Sequence, residues 1–212
     1  YLLTAEGGTF YNHGVTMARS RELMGPYESD PVGQLLTARY DCCLSLQRTG
    51  HADLVKTPTG EWFMVHLCGR PLPSRGRSPM GRETAIQKVF WSDDGWLRLA
   101  NNQTIPDVIV HSPHAERPWD KELQRDEFDT LKLPLHYQSL RIPLSAEVCN
   151  LHARKGWLRL YGRESLSSHH CQTLVARRQT DFRFRAQTCL DFSPASFQQM
   201  AGLLCFYAIG RA

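Results

Sequence analysis

A single carboxylate followed by two glycines, Glu6-Gly7-Gly8, stands at the end of the apolar run Tyr1-Leu2-Leu3-Thr4-Ala5. A short apolar run stopped by a glycine pair reads as a strand entering a turn. Glycines there let a ligand approach the backbone closely. Glu6 is therefore the first candidate for acid chemistry. With no second acid in view, its ordinary reading is a solvated strand-end residue. The other residues able to do chemistry form no recognisable set. The nine histidines lack metal-ligand spacing: His169 and His170 are adjacent and no HExxH occurs. The seven cysteines form no CxxC pair, so no zinc site is expected. Their odd number and irregular spacing point to free thiols in a reducing compartment, which gives a cytoplasmic location as the expectation.

The elements that must position these residues are short and β-type. Candidate strands are 14–18, 52–55, 61–67, 84–91 and 96–99, separated by turn signals at Gly25-Pro26, Pro58-Thr59-Gly60, Pro71-Leu72-Pro73 and Asp93-Asp94-Gly95. Such spacing suggests a propeller or a sandwich rather than a parallel α/β sheet. From Pro106 to Asp129 the chain turns rich in Pro, His and charge, the composition of a linker. Strand patterns resume at 157–161, 172–177, 182–192 and 199–207. In the third of these Phe182, Phe184 and Ala186 alternate with Arg183, Arg185 and Gln187, as a half-buried strand requires. The division predicted is residues 1–112 as a first β domain, 113–128 as linker and 129–212 as a second all-β domain.

Composition bounds the rest. With 212 residues, 42% hydrophobic and 22% charged, the chain is ordinary for a globular protein. The net charge of +4 is scattered. Arg177-Arg178 is the nearest thing to a basic patch, so neither a nucleic-acid footprint nor a membrane span is expected. The chain has no initiator Met, and a strand pattern runs almost to Ala212, as in a piece of a longer protein.

Six blocks carry a family resemblance: Thr4-Ala-Glu-Gly-Gly-Thr9, Gly50-His-Ala-Asp-Leu-Val55, His66-Leu-Cys-Gly-Arg-Pro71, Gly81-Arg-Glu-Thr-Ala-Ile-Gln-Lys88, Leu158-Arg-Leu-Tyr-Gly-Arg-Glu-Ser-Leu166 and Phe197-Gln-Gln-Met-Ala-Gly202. In order and spacing, from residue 1 to about 207, the chain resembles the β-xylosidases of glycoside hydrolase family 43. That resemblance implies a five-bladed β-propeller followed by a β-sandwich, with this chain holding the later blades and the first sandwich strands. It implies inverting hydrolysis of a terminal β-1,4-linked xylose from xylo-oligosaccharides, with α-L-arabinofuranosidase side activity as an accompaniment. Inversion needs a protonated carboxyl and a carboxylate about 6.5–9.5 Å apart. Glu6 matches the family's general acid. The general base, and a third carboxylate that tunes the acid, match positions preceding Tyr1, so the chain alone is expected to be inactive.

The same resemblance assigns Arg82 to the hydroxyls of the sugar being cleaved, a task suited to the guanidinium fork. It assigns His51 to the propeller axis, where the family holds a calcium ion or a water cluster. No cofactor is implied as a requirement, and a homo-oligomer is implied at full length. Three segments depart from the family pattern: Pro73 to Gly81, where Ser78 replaces the usual Cys; Arg39 to Leu46, with its Asp41-Cys42-Cys43; and Ala208 to Ala212. A non-catalytic carbohydrate-binding β protein is the competing reading. An arabinan-degrading relative is disfavoured, because the blocks at 158–166 and 197–202 resemble the xylosidase branch.

Overall fold

The computed structural model describes residues 1–73, 75–112 and 114–207, and all of its regular structure is β. The chain divides into two units, Tyr1–Ala115 and Glu116–Ala212. No helix among the described residues is long and apolar enough to cross a membrane.

The first unit holds two antiparallel meanders. Strands β1 (Leu2–Glu6), β2 (Gly14–Arg19) and β3 (Glu28–Thr37) form one, and β4 (Gln47–Lys56), β5 (Trp62–Gly69), β6 (Glu83–Trp91) and β7 (Leu97–Leu99) form the other. Up-and-down sheets of this kind in succession are how propeller blades are built. The first strand of the second meander, β4, packs against all three strands of the first. Strand β1 ends where predicted, because Gly7 and Gly8 take φ of +72° and +67°, a region that excludes most side chains. A Cβ on Gly7 would lie 1.9 Å from the Asn12 carbonyl oxygen, so the turn closes only around glycine.

The core lies between the two sheets. Val15, Met17, Leu35, Leu36, Met64, Val89, Trp96, Leu97 and Leu99 are buried together. Full burial of one such aliphatic side chain contributes about 1.5–3 kcal/mol. Arg19 ties the sheets at one edge: its guanidinium lies 4.2 Å from the Trp96 ring centroid, bonds Glu28 at 2.9 Å and donates to the Asp94 carbonyl at 2.7 Å.

Two strands differ from expectation. Residues 28–37 form one of the longest strands although Pro31 and Gly33 mask the pattern; the pairing of β2 with β3 accommodates them through register shifts, with Gly33 at φ +85°. Strand β4 begins at Gln47 rather than 52. Its first half pairs with β5 through two register shifts, where Arg48 and His51 adopt left-handed φ of 56° and 53°. A bulge of this kind turns a side chain away from the regular alternation.

Among the described residues, the second unit contains only two-residue strands. β8 (Tyr137–Gln138) pairs with β11 (Ala176–Arg177), and β9 (Cys149–Asn150) pairs with β10 (Arg159–Leu160). Among its described residues Val148, Gln172 and Leu174 are buried. The strands expected at 182–192 and 199–207 do not form. Phe182, Phe184, Leu190, Phe192, Leu203 and Leu204 are exposed, and no strand among the described residues pairs with these segments. Alternation prepares a strand, but only a neighbour's hydrogen bonds complete one.

Candidate active site

Glu6 ends β1 on the same face as Thr4, since side chains two apart share a face. The Thr16 hydroxyl on β2 donates to Glu6 Oε1 at 2.9 Å and shares a 2.6 Å hydrogen bond with Thr4. The carboxylate is exposed and lines an open groove of about 530 Å³, with Thr16, Asp30, Gln34 and Tyr40 among its walls.

Among the described residues lining this groove, Glu6 and Asp30 are the two carboxylates. Asp30 is buried, and its oxygens accept from Arg98 Nη1 at 2.5 Å, from Arg98 Nη2 at 3.2 Å and from the Val32 amide at 3.0 Å. Removing one partner of such a buried, hydrogen-bonded pair is costly, so Asp30 is structural, whereas the Glu6 carboxylate is exposed to the groove. Sequence reasoning missed Asp30 because its meaning rests on Arg98, 68 residues away.

Arg82 lies just before β6, and its Nη2 donates to the Thr9 carbonyl at 2.9 Å. It thereby grips the loop that follows Glu6. Arg48 and Arg75 flank the Tyr11 ring in the same loop, at 4.6 and 5.2 Å from the centroid, and the Tyr11 hydroxyl donates to the Gly76 carbonyl at 2.9 Å. Glu6 and Arg82 are thus joined through the β1–β2 connection.

His51 and Arg82 share surroundings with His13, which the sequence reading passed over. His13 is buried with Nδ1 3.2 Å from the Arg48 carbonyl, and its ring rests on Gly50, where a Cβ would come within 2.4 Å of the imidazole. Burial lowers its pKa, the hydrogen bond to the Arg48 carbonyl works the other way, and the charges of Arg82 and His51 lower it further. His66 on β5 is also buried, with Nδ1 3.0 Å from the Leu67 carbonyl and Nε2 facing Gln87. Burial lowers its pKa too, followed by the opposing effect of the Leu67 hydrogen bond and a lowering by His13.

Calcium takes six to eight oxygen ligands. Among the described residues no group of three or more His, Cys, Asp or Glu side chains gathers at His51.

A pH dependence follows from the two buried histidines. Both are lowered in the folded state relative to the ordinary value of 6.5, so below about pH 6.5 the unfolded chain binds protons that the folded chain refuses. Stability is then full above that value and falls as pH drops toward the folded pKa values. Thermal melting followed from pH 7.5 to pH 5 should show a falling Tm, and His66→Gln should flatten the slope. A slope unchanged in His66→Gln would remove His66 from this role.

Comparison with known proteins agrees with this architecture. The profile described as "Glycosyl hydrolases family 43" matches residues 1–97, and "Beta xylosidase C-terminal Concanavalin A-like domain" matches residues 125–210. The chain is 44% identical over 209 residues to a "Xylosidase/arabinosidase 43B" of Humicola insolens, covering 98% of this chain and 38% of that protein. It is 43% identical over 220 residues to a "Xylan 1,3-beta-xylosidase" of Vibrio sp, covering 98% and 41%. Among solved structures, the xylan beta-1,4-xylosidase from Bacillus halodurans C-125 superposes with a TM-score of 0.82 at 49% identity, over 85% of this chain and 34% of that one. The chain thus spans about two-fifths of the length of the curated relatives it matches.

Proposed function

Because the chain belongs to glycosyl hydrolase family 43, with a β-xylosidase-type C-terminal domain after it, we propose that a protein of the relatives' length carrying it, the full-length protein below, is an exo-acting β-1,4-xylosidase. It releases xylose from xylo-oligosaccharides with inversion. The observation that carries this reading is Glu6: a carboxylate at a strand end, held through one oxygen by Thr16, in a groove whose other acid is locked to Arg98. Glu6 is the general acid, protonating the leaving oxygen. Arg82 binds hydroxyls of the sugar being cleaved, and His51 stands on the axis of a five-bladed propeller. The base and the third carboxylate come from blades encoded before Tyr1.

The similarity to a xylosidase/arabinosidase supports a second activity on α-L-arabinofuranosides, while the similarity to a 1,3-β-xylosidase makes the linkage a point to test. The full-length protein needs no cofactor for this chemistry, assembles as a homo-oligomer and works in the cytoplasm.

Proton NMR of xylobiose hydrolysis should show α-xylose as the first product. β-Xylose first would mean retention. No turnover by the full-length protein, with sugar binding intact, would establish the non-catalytic carbohydrate-binding reading. The 212-residue chain alone should give no turnover of xylobiose or an aryl xyloside above its Glu6→Ala control, because it presents an acid without a base.

A further inference from the structure

The corner between β3 and β4 carries Asp41, Cys42 and Cys43, all exposed, with one carboxylate oxygen and both sulfurs within 4.8 Å of one another. Both thiols are free. The corner is held in shape from inside. Gln47, fully buried, donates through Nε2 to the Asp41 carbonyl at 2.8 Å and to the Leu44 carbonyl at 3.0 Å, while Asp41 Oδ1 accepts from the Cys43 amide at 2.7 Å. The two sulfurs share a hydrogen bond that, with the neighbouring charges of Cys42 and Asp41, raises the Cys43 pKa.

We propose that Asp41, Cys42 and Cys43 form a binding site for a thiophilic divalent cation, zinc or cadmium. Two thiolates and a carboxylate oxygen suit a soft or borderline ion and not calcium or magnesium. With Zn–S near 2.3 Å, two sulfurs on a tetrahedral ion lie about 3.8 Å apart. Closing the set thus needs movement of about 1 Å or less in exposed side chains. Each thiol gives its proton to solvent as its sulfur takes the metal. The fourth position is left to water. Tyr40, the residue before this set, lines the groove that holds Glu6, so an occupied site fixes the corner from which that wall rises.

The test uses the reduced full-length protein titrated with Cd²⁺, reading the sulfur-to-cadmium charge-transfer band. The expected result is a component at one ion per chain that is absent from Cys42→Ser and from Cys43→Ser, each weakening the site at least about 100-fold, beyond what loss of an outer partner costs. Asp41→Asn should weaken it measurably, and Cys189→Ser, at another exposed thiol, should leave it intact. A band unchanged in the Cys42→Ser/Cys43→Ser double variant, or no band in the parent protein, overturns the site. An Asp41→Asn variant of unaltered affinity overturns the three-ligand set.

Discussion

In the full-length protein, Glu6→Ala should cost xylobiose hydrolysis roughly 10²–10⁴-fold while an activated aryl xyloside loses far less. A sugar alkoxide is a poor leaving group and needs the acid's proton; a nitrophenolate leaves without much help. The alkaline limb of the pH–rate profile should vanish as well, since that limb reports an acid that must be protonated. The structure makes the experiment clean. The Glu6 side chain is exposed and accepts a hydrogen bond from the Thr16 hydroxyl, so truncation opens no cavity. The loss should be accompanied by an unchanged Tm. Equal losses on both substrates with the alkaline limb intact would place the proton donor elsewhere.

Arg82→Lys should lower kcat/KM for xylobiose by about 2–4 kcal/mol of transition-state stabilisation, the worth of one preorganised donor. Lysine keeps the charge but not the planar fork. The fork matters twice here. One arm donates to the Thr9 carbonyl at 2.9 Å and so holds the loop behind Glu6, and in the proposed role the others reach sugar hydroxyls. Loss of substrate contacts appears in kcat/KM with the melting temperature retained. An unchanged kcat/KM with a lowered Tm would make Arg82 a structural clamp alone.

Much of the first unit was legible because its physics is local. Apolar alternation in 14–18, 61–67 and 84–91 places those segments in β2, β5 and β6, and Gly7-Gly8 marks a turn that only glycine can make. Strand β3 was not legible, because Pro31 and Gly33 erase a pattern that its pairing with β2 restores through shifted register. At 182–192 the reverse holds: the alternation is present and no partner strand is found among the described residues. Likewise a lone His13 gives no sign in sequence of its burial against Gly50.

By itself, then, the sequence determined the β class, the glycine turn after Glu6 and, through six spaced blocks, the family. Only the tertiary structure decided that Asp30 is spent on Arg98, that His51 sits on a left-handed bulge, and that Arg82 reaches the loop behind Glu6. The reason is range. Turns and alternation are settled by steric limits and burial within a few residues, whereas a carboxylate's availability depends on which distant cation the fold brings within about 3 Å of it.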